Sequence, residues 1–108
     1  IKATGETASR AATGVAASYA QVDGDPVGLN ASFNVASATD VATGRFDIAF
    51  TNNMSAATYA VPAETDVQAM RIEAGLITAS GFRVTTEVTS GTDTDATYAM
   101  FATFGDLA

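Results

Sequence analysis

Two pairs of closely spaced aspartates are the residues of this chain that could most readily do chemistry. They are Asp23 with Asp25 and Asp93 with Asp95, and both pairs lie in segments predicted to be loops. Two carboxylates and nearby loop carbonyls can bind Ca²⁺, but the full loop pattern of an EF-hand is absent. We therefore interpret both pairs as solvated turn residues and predict no metal site and no cofactor, with Ca²⁺ at these loops left open.

Paired carboxylates could also support glycoside hydrolysis, which needs one carboxyl group in an apolar pocket with a raised pKa. The acidic residues of this chain fall instead in predicted loops or on the polar faces of predicted strands. The chain has no His and no Cys, which excludes His-based triads, Cys nucleophiles, Cys/His zinc sites and disulfides. The sequence therefore predicts a protein that is not an enzyme.

The excess of acidic residues makes some classes of binding partner unfavourable. Twelve acidic residues against five basic ones give a net charge of −7, whereas nucleic-acid-binding proteins carry a clustered basic face. We expect no nucleic-acid partner and, since no apolar run is long enough to span a bilayer, no membrane insertion. The first residues contain neither an initiator Met nor an apolar signal core, so we expect a fragment or processed product. The absence of Cys suits an extracellular or particle-exposed protein.

The apolar content consists largely of small side chains. Of 108 residues, 23 are Ala and 16 are Thr. A single domain of this size can bury roughly two-thirds of its unfolded surface, but each buried methyl-sized group contributes only ~0.8 kcal/mol. We therefore expect much of the core to be Ala, and self-association into a homo-oligomer to supply the missing stability.

The apolar residues alternate with a period of two, which is typical of β-strands. Residues 45–51 place Phe46, Ile48 and Phe50 on one face. Residues 81–89 alternate in the same way. Residues 96–104 carry apolar side chains on both faces, which indicates a central strand or one at a subunit contact.

Turn residues separate these strands. Residues 40–44, with Gly44 at a left-handed position, are predicted to join a strand at 30–39 to the strand at 45–51 as a hairpin. Residues 90–95 are predicted to connect the last two strands as a second hairpin.

The remaining segments give weaker signals. Strands are predicted at 14–22, at 67–79 with a possible break at Gly75, and at 58–61, where Pro62 ends the strand. Residues 63–74 contain good helix formers, but we favour a strand there. The whole pattern predicts an all-β fold, a small antiparallel β-sandwich of six to eight strands, with a barrel as the alternative. Residues 1–12 are predicted to be a connector from an upstream region, and residues 13–108 a single domain.

Two stretches of this pattern resemble known families. Residues 31–54, followed by 57–61, resemble the distal domain of bacteriophage tail-fibre and other virion proteins: a Ser/Asn-Val-Ser strand, an Asp-x-x-x-Gly turn, an aromatic-alternating strand, then Met-x-x-x-x-Tyr-x-Val. Residues 95–105 are similar to the closing strand of that group. Residues 77–84 are similar to the Val-Thr-x-x-Gly-Phe-x-Val segment of H-type lectins, which are trimeric six-stranded sandwiches.

The resemblance implies a virion appendage domain that binds a host-surface glycan or protein as a homotrimer, beside other virion proteins. The Trp common in the last strand of H-type lectins is absent here, so no sugar-binding residue is carried over. Because hairpin tips present recognition groups, we expect loop residues at one end of the sandwich to contact the receptor: Asn52, Asn53, Thr92, Asp93 and Asp95. The alternative is a purely structural tail, connector or decoration protein without a receptor.

For three aromatic residues the sequence pattern predicts burial least clearly. Tyr19, Tyr59 and Phe101 could stack on a sugar if their rings are exposed. Packing inside the domain or between subunits is the interpretation that we favour.

Overall fold

Two four-stranded antiparallel sheets pack face to face as a small β-sandwich in the computed structural model, which describes residues 15–88 and 91–108. Sheet A has the strand order β2-β1-β8-β5, and sheet B has the order β3-β4-β7-β6. The strands are β1 (Ser18–Gly24), β2 (Val27–Phe33), β3 (Val35–Ala42), β4 (Arg45–Phe50), β5 (Ala63–Thr65), β6 (Ala69–Ile72), β7 (Gly81–Glu87) and β8 (Tyr98–Thr103). The predicted fold class is confirmed. The predicted connector, residues 1–12, lies outside the described residues.

Strict alternation builds the core where the sequence predicts it. Phe46, Ile48 and Phe50 of β4 are buried, with at most 6% of each residue exposed. From β7 and the facing sheet, Phe82 and Phe101 meet edge to face with ring centroids 4.9 Å apart. Aromatic residues bury large apolar areas and pack in such T-shaped pairs, so these rings hold the two sheets together.

The alanines do not dominate this core, which corrects the expectation from composition. Of the buried hydrophobic residues, only Ala17, Ala20, Ala96 and Ala99 are Ala. Ten other alanines of the described chain are exposed, at positions 31, 36, 42, 56, 57, 60, 63, 69, 74 and 108. The reason is that Ala occupies the outward positions of strands as readily as the inward ones, so composition alone does not place it.

Strand β8 is central, as its two apolar faces indicate. It pairs with β1 on one side and with β5 on the other. Ala99, Phe101 and Thr103 point into the core, while Tyr98 and Met100 lie half-buried on the outer face. The buried hydroxyls of Ser18 and Thr103 hydrogen-bond at 2.6 Å, which satisfies both polar groups inside the sandwich.

The predicted single strand at 30–39 is wrong. It is broken at Asn34, which has a φ of 57°, and its two halves become β2 in sheet A and β3 in sheet B. Asn tolerates the left-handed conformation because its side chain can hydrogen-bond nearby backbone. The Nδ2 group of Asn34 donates to the carbonyls of Ala17 and Asn52, and its Oδ1 accepts from the Asn52 N–H. Asn34 is therefore the point at which the chain changes sheets.

The predicted hairpin at residues 90–95 is also wrong, because β7 lies in sheet B and β8 in sheet A. Past the undescribed residues 89 and 90, the chain folds back on the end of β7: the Thr94 N–H donates to the Thr86 carbonyl at 2.9 Å. The Thr86 hydroxyl in turn donates to the Thr94 carbonyl at 2.6 Å. The chain then crosses to the other sheet.

The weaker predictions have mixed outcomes. β1 confirms a strand within 14–22, although Gly14 lies outside the described residues. Residues 67–79 break as expected near Gly75, into β6 and a short 3-10 helix (Ala74–Leu76). The strand favoured over a helix in 63–74 is confirmed by β5 and β6. No strand forms at 58–61, where Ala60 makes an isolated bridge to Phe104, and β5 instead begins directly after Pro62.

Candidate functional site

The five predicted contact residues lie at two opposite ends of the sandwich. Asp93 and Asp95 adjoin Arg45 and Gly44, at the start of β4, whereas Asn52 follows the end of that strand. Seven residues of extended chain separate Arg45 from Asn52, which is about 23 Å. The expectation that these loops share one end is therefore wrong, because an antiparallel strand carries its two flanking loops to opposite ends.

At the first end, both carboxylates are engaged in holding the chain. Asp93 Oδ2 accepts from Arg45 Nε at 2.8 Å, and Asp95 Oδ1 accepts from the Gly44 N–H at 2.7 Å. Gly44 has a φ of 71°, as predicted, and a Cβ there would lie only 2.6 Å from the Thr94 nitrogen. Thr92 is exposed, and its carbonyl accepts from the Val88 N–H. At this end, therefore, hydrogen bonds hold in place the segment through which the chain passes from sheet B to sheet A.

At the second end, Asn52 and Asn53 are both exposed. The backbone of Asn52 is clamped by the side chain of Asn34, and the Asn53 carbonyl accepts from the Ala108 N–H. Their amide side chains therefore extend from a backbone that is fixed by hydrogen bonds.

The Asp-x-Asp pairs do not converge on a common point. Asp23 Oδ1 accepts from Asn30 Nδ2 at 2.6 Å, across the β1–β2 hairpin. Within residues 15–88 and 91–108, no group of three or more carboxylates is placed to hold a metal ion.

A groove of about 300 Å³ lies on the outer face of sheet B. It is lined by residues of β4, of β7 and of the connection between β6 and β7. The residues that line it with outward side chains or backbone are Asp47, Ala49, Leu76, Thr78, Ser80, Gly81 and Arg83. A volume of this size is at the lower end of the range for small-ligand sites.

A bidentate ion pair forms one side of the groove. Arg83 Nε and Nη2 donate to Asp47 Oδ1 and Oδ2 at 2.7 and 3.1 Å, across directly paired positions of β4 and β7. The hydrogen bonds that Arg83 donates to Asp47 raise the pKa of Arg83 further above its usual value, and burial opposes this only in part. The pair uses two of the five guanidinium N–H groups, and the side chain of Asp47 is 46% exposed.

Hydroxyl groups also line the groove. Thr78 Oγ1 and Ser80 Oγ lie 3.1 Å apart, and both residues are exposed. The Tyr59 hydroxyl shares its one O–H between the carbonyls of Thr78 and Gly81, with oxygen–oxygen distances of 2.8 and 3.0 Å. Burial raises the pKa of Tyr59 to about 12, so the phenol stays protonated and continues to donate at neutral pH.

The groove thus combines a fixed carboxylate, spare guanidinium donors, two hydroxyls and an exposed apolar residue, Leu76. Such a set can hydrogen-bond a polyol and contact its C–H face. The alternation of residues 45–51 and 81–89 puts Asp47 and Arg83 on the polar faces of their strands, but it does not show that the two residues are paired. Only the register of β4 against β7 brings them together, and that register was not predicted.

The outer face of sheet A is different in kind. Tyr19 and Phe33 are 49% and 53% exposed, and their rings stack with centroids 5.9 Å apart. They belong to an outward row that Ala102 continues, beside a second row of Ala31, Gln21, Met100 and Glu64. Of the three aromatics singled out from the sequence, Tyr19 is therefore exposed, while Tyr59 is half-buried and Phe101 is buried.

No family model, curated protein or solved structure matches the chain. Across residues 15–88 and 91–108, none of the helices has the length and apolar character needed to cross a bilayer.

Proposed function

We propose that this chain is a non-catalytic virion domain, from a phage tail fibre or a related appendage, that binds a host-surface glycan as a homotrimer. The observation that carries the binding part is the groove on sheet B, which is lined by both the Asp47–Arg83 ion pair and the hydroxyls of Thr78 and Ser80. The virion part is supported by the resemblance of residues 31–54 and 57–61 to tail-fibre domains.

The chemistry of the groove favours a neutral sugar. Asp47 can accept from one hydroxyl group while Arg83 donates to the next, and Leu76 offers an apolar contact to the ring. The net charge of −7 repels an anionic glycan. A shallow groove gives weak binding at each site, and a homotrimer on a particle multiplies it through effective concentration.

Asn52 and Asn53 are the predicted loop residues that could extend this site. Phe50 and Ser80 line the groove and are joined by a backbone hydrogen bond of 2.9 Å, two residues before Asn52. Thr92, Asp93 and Asp95 belong to the other end, so they are not part of this groove. Substituting Asp93 or Asp95 would disturb Arg45 or Gly44 and would not test receptor contact cleanly.

The test is binding of the isolated domain to host cells and to a glycan array. We expect Asp47→Asn and Arg83→Gln each to weaken binding at least tenfold, and Asn52→Ala with Asn53→Ala to weaken it by a smaller factor. Arg45→Gln is the matched control, because it also breaks an exposed ion pair but lies outside the groove. Equal binding by the Asp47 and Arg83 variants and the wild type would contradict the proposal.

A purely structural virion component is the second candidate. It is supported by the apolar outer face of sheet A, which suits packing against neighbouring proteins of a particle. On this alternative, groove substitutions leave infectivity unchanged, whereas substitutions of Tyr19 and Phe33 abolish incorporation into the particle.

A further inference from the structure

We infer that the outer face of sheet A is the surface through which copies of this chain associate, which leaves the groove of sheet B facing outward. The inference rests on the homo-oligomeric part of the proposed function. It is independent of receptor binding.

The two outer faces differ in composition although both belong to four-stranded antiparallel sheets. Sheet B turns charged and hydroxyl side chains outward, and its central outward pair is Asp47 with Arg83. Sheet A turns outward a continuous set of apolar side chains: Phe33, Tyr19, Ala102, Ala31, Met100 and Tyr98. An antiparallel sheet that faces water on one side normally alternates apolar and polar residues, so sheet A has the composition of a sheet that is covered on both faces.

The charges on this face lie at its margin. Asp23 lies at the turn end of β1, and Glu64 lies on the edge strand β5. The uncharged Gln21 occupies the middle of the face, between Ala31 and Met100. A chain of net charge −7 can therefore bring two such faces together without burying a carboxylate at the centre. A charge-poor centre with a polar rim is the anatomy of a protein–protein interface.

The area is sufficient for a contact between copies. Four strands about 4.8 Å apart and about six residues long give a flat area of roughly 400 Å². The relief of the side chains adds to this, so two facing copies would bury about 1,000 Å² in total, the lower bound for a specific interface. In a trimer each copy divides this face between its two neighbours, so three copies would together bury about 1,500 Å².

A second copy is the occupant that fits best because the face carries both large protruding side chains and small ones beside them, so that two different patches of it can meet. The large side chains of Tyr19 and Phe33 protrude from the face, and the small side chains of Ala31 and Ala102 leave a depression beside them. Large side chains of one copy can thus lie over the small ones of the next. Large–small interdigitation of this kind gives the packing density of an interior.

The experiment is the molar mass of the full chain in solution, by sedimentation or light scattering over a range of concentrations. We expect the wild type to have three times the 10.9 kDa of one chain. Phe33→Glu and Tyr19→Glu should each raise the dissociation constant at least tenfold and yield the single-chain mass at low concentration. Val41→Glu is the matched control, because Val41 is also exposed, at 42%, but lies on sheet B.

Circular dichroism of each variant shows whether the sandwich is retained. A second measurement does not depend on these variants: the chain has no Cys, so Gln21→Cys introduces a single thiol at the middle of the face. A short bis-maleimide should join Gln21→Cys chains into covalent dimers and should not join Thr39→Cys chains, whose thiol lies on sheet B.

A wild type with the single-chain mass at every concentration would overturn the inference. So would equal dissociation of the Val41→Glu and Phe33→Glu variants, or equal cross-linking at the two thiols. A wild type that assembles as expected but binds neither host cells nor glycans would instead count against the groove alone, which keeps the failure of the two proposals distinguishable.

Discussion

Substitution of Asn34 tests whether one side chain fixes the change of sheet between β2 and β3. Its amide makes three hydrogen bonds: two donated to the carbonyls of Ala17 and Asn52, and one accepted from the Asn52 N–H. At about 0.5–1.5 kcal/mol each, and toward the lower figure for the two exposed bonds, their loss costs about 2–3 kcal/mol. A φ of 57° adds about 1 kcal/mol when Ala replaces Asn.

The assay is urea unfolding of matched variants at neutral pH. We expect Asn34→Ala to lower the free energy of unfolding by about 3–4 kcal/mol, and Asn34→Gly by about 1 kcal/mol less because Gly accepts the left-handed conformation. Asn34→Asp keeps the acceptor but places a charge beside two carbonyl oxygens, so it should be the least stable variant and should recover as the pH falls. Losses below about 0.5 kcal/mol for both Ala and Gly would refute the reasoning.

Three further outcomes follow from burial and from the pKa shifts. Phe46→Ala should lower the free energy of unfolding by about 3–5 kcal/mol because Phe46 is 2% exposed. Phe33 is exposed, so Phe33→Ala should lower it by under about 1 kcal/mol in a monomeric chain. Similar losses for the two variants would contradict the inward position of Phe46 and the outward position of Phe33. The pKa of Tyr59 is raised to about 12 against the usual 10, so its contribution to the free energy of unfolding is full below pH 10 and falls between about pH 10 and 12. Because Tyr59 is partly exposed, we expect this fall to be only about 1 kcal/mol. Tyr59→Phe should remove both the fall and the last step of the phenolate absorbance titration. Desolvation would raise the pKa of Asp66, but backbone N–H groups of Tyr98 and Thr97 outweigh it and hold the pKa below its usual value. Its contribution to stability is therefore present above the unfolded pKa and lost as pH falls through the folded one, and an acid unfolding curve unchanged by Asp66→Asn would contradict this.

Local alternation was enough to predict the strands whose two faces differ most. Phe46, Ile48 and Phe50 recur every second residue, and burial of one face of β4 follows directly from that spacing. The left-handed conformation of Gly44 was equally predictable, because a tight hairpin needs a residue with positive φ and Gly adopts it without strain.

The pairing between segments distant in the sequence could not be predicted from local patterns. Asn34 adopts a left-handed conformation only because Ala17 and Asn52 are brought beside it, and no local pattern marks that. The segment after β7 contains good turn residues, yet it crosses between sheets because Thr86 and Thr94 hold it at the sheet end. The groove depends on the same information, since Asp47 meets Arg83 only through the register of β4 and β7.

The most direct test of the account is the rate at which a maleimide reagent modifies one introduced thiol on each outer face of the assembled protein. Gln21→Cys lies at the middle of sheet A, and Thr39→Cys lies beside Asp47 on sheet B. Both native residues are exposed in the single chain. If copies associate through sheet A and present the groove of sheet B, the Gln21→Cys thiol should react at least ten times more slowly than the Thr39→Cys thiol. Equal rates, or slower reaction on sheet B, would contradict the account.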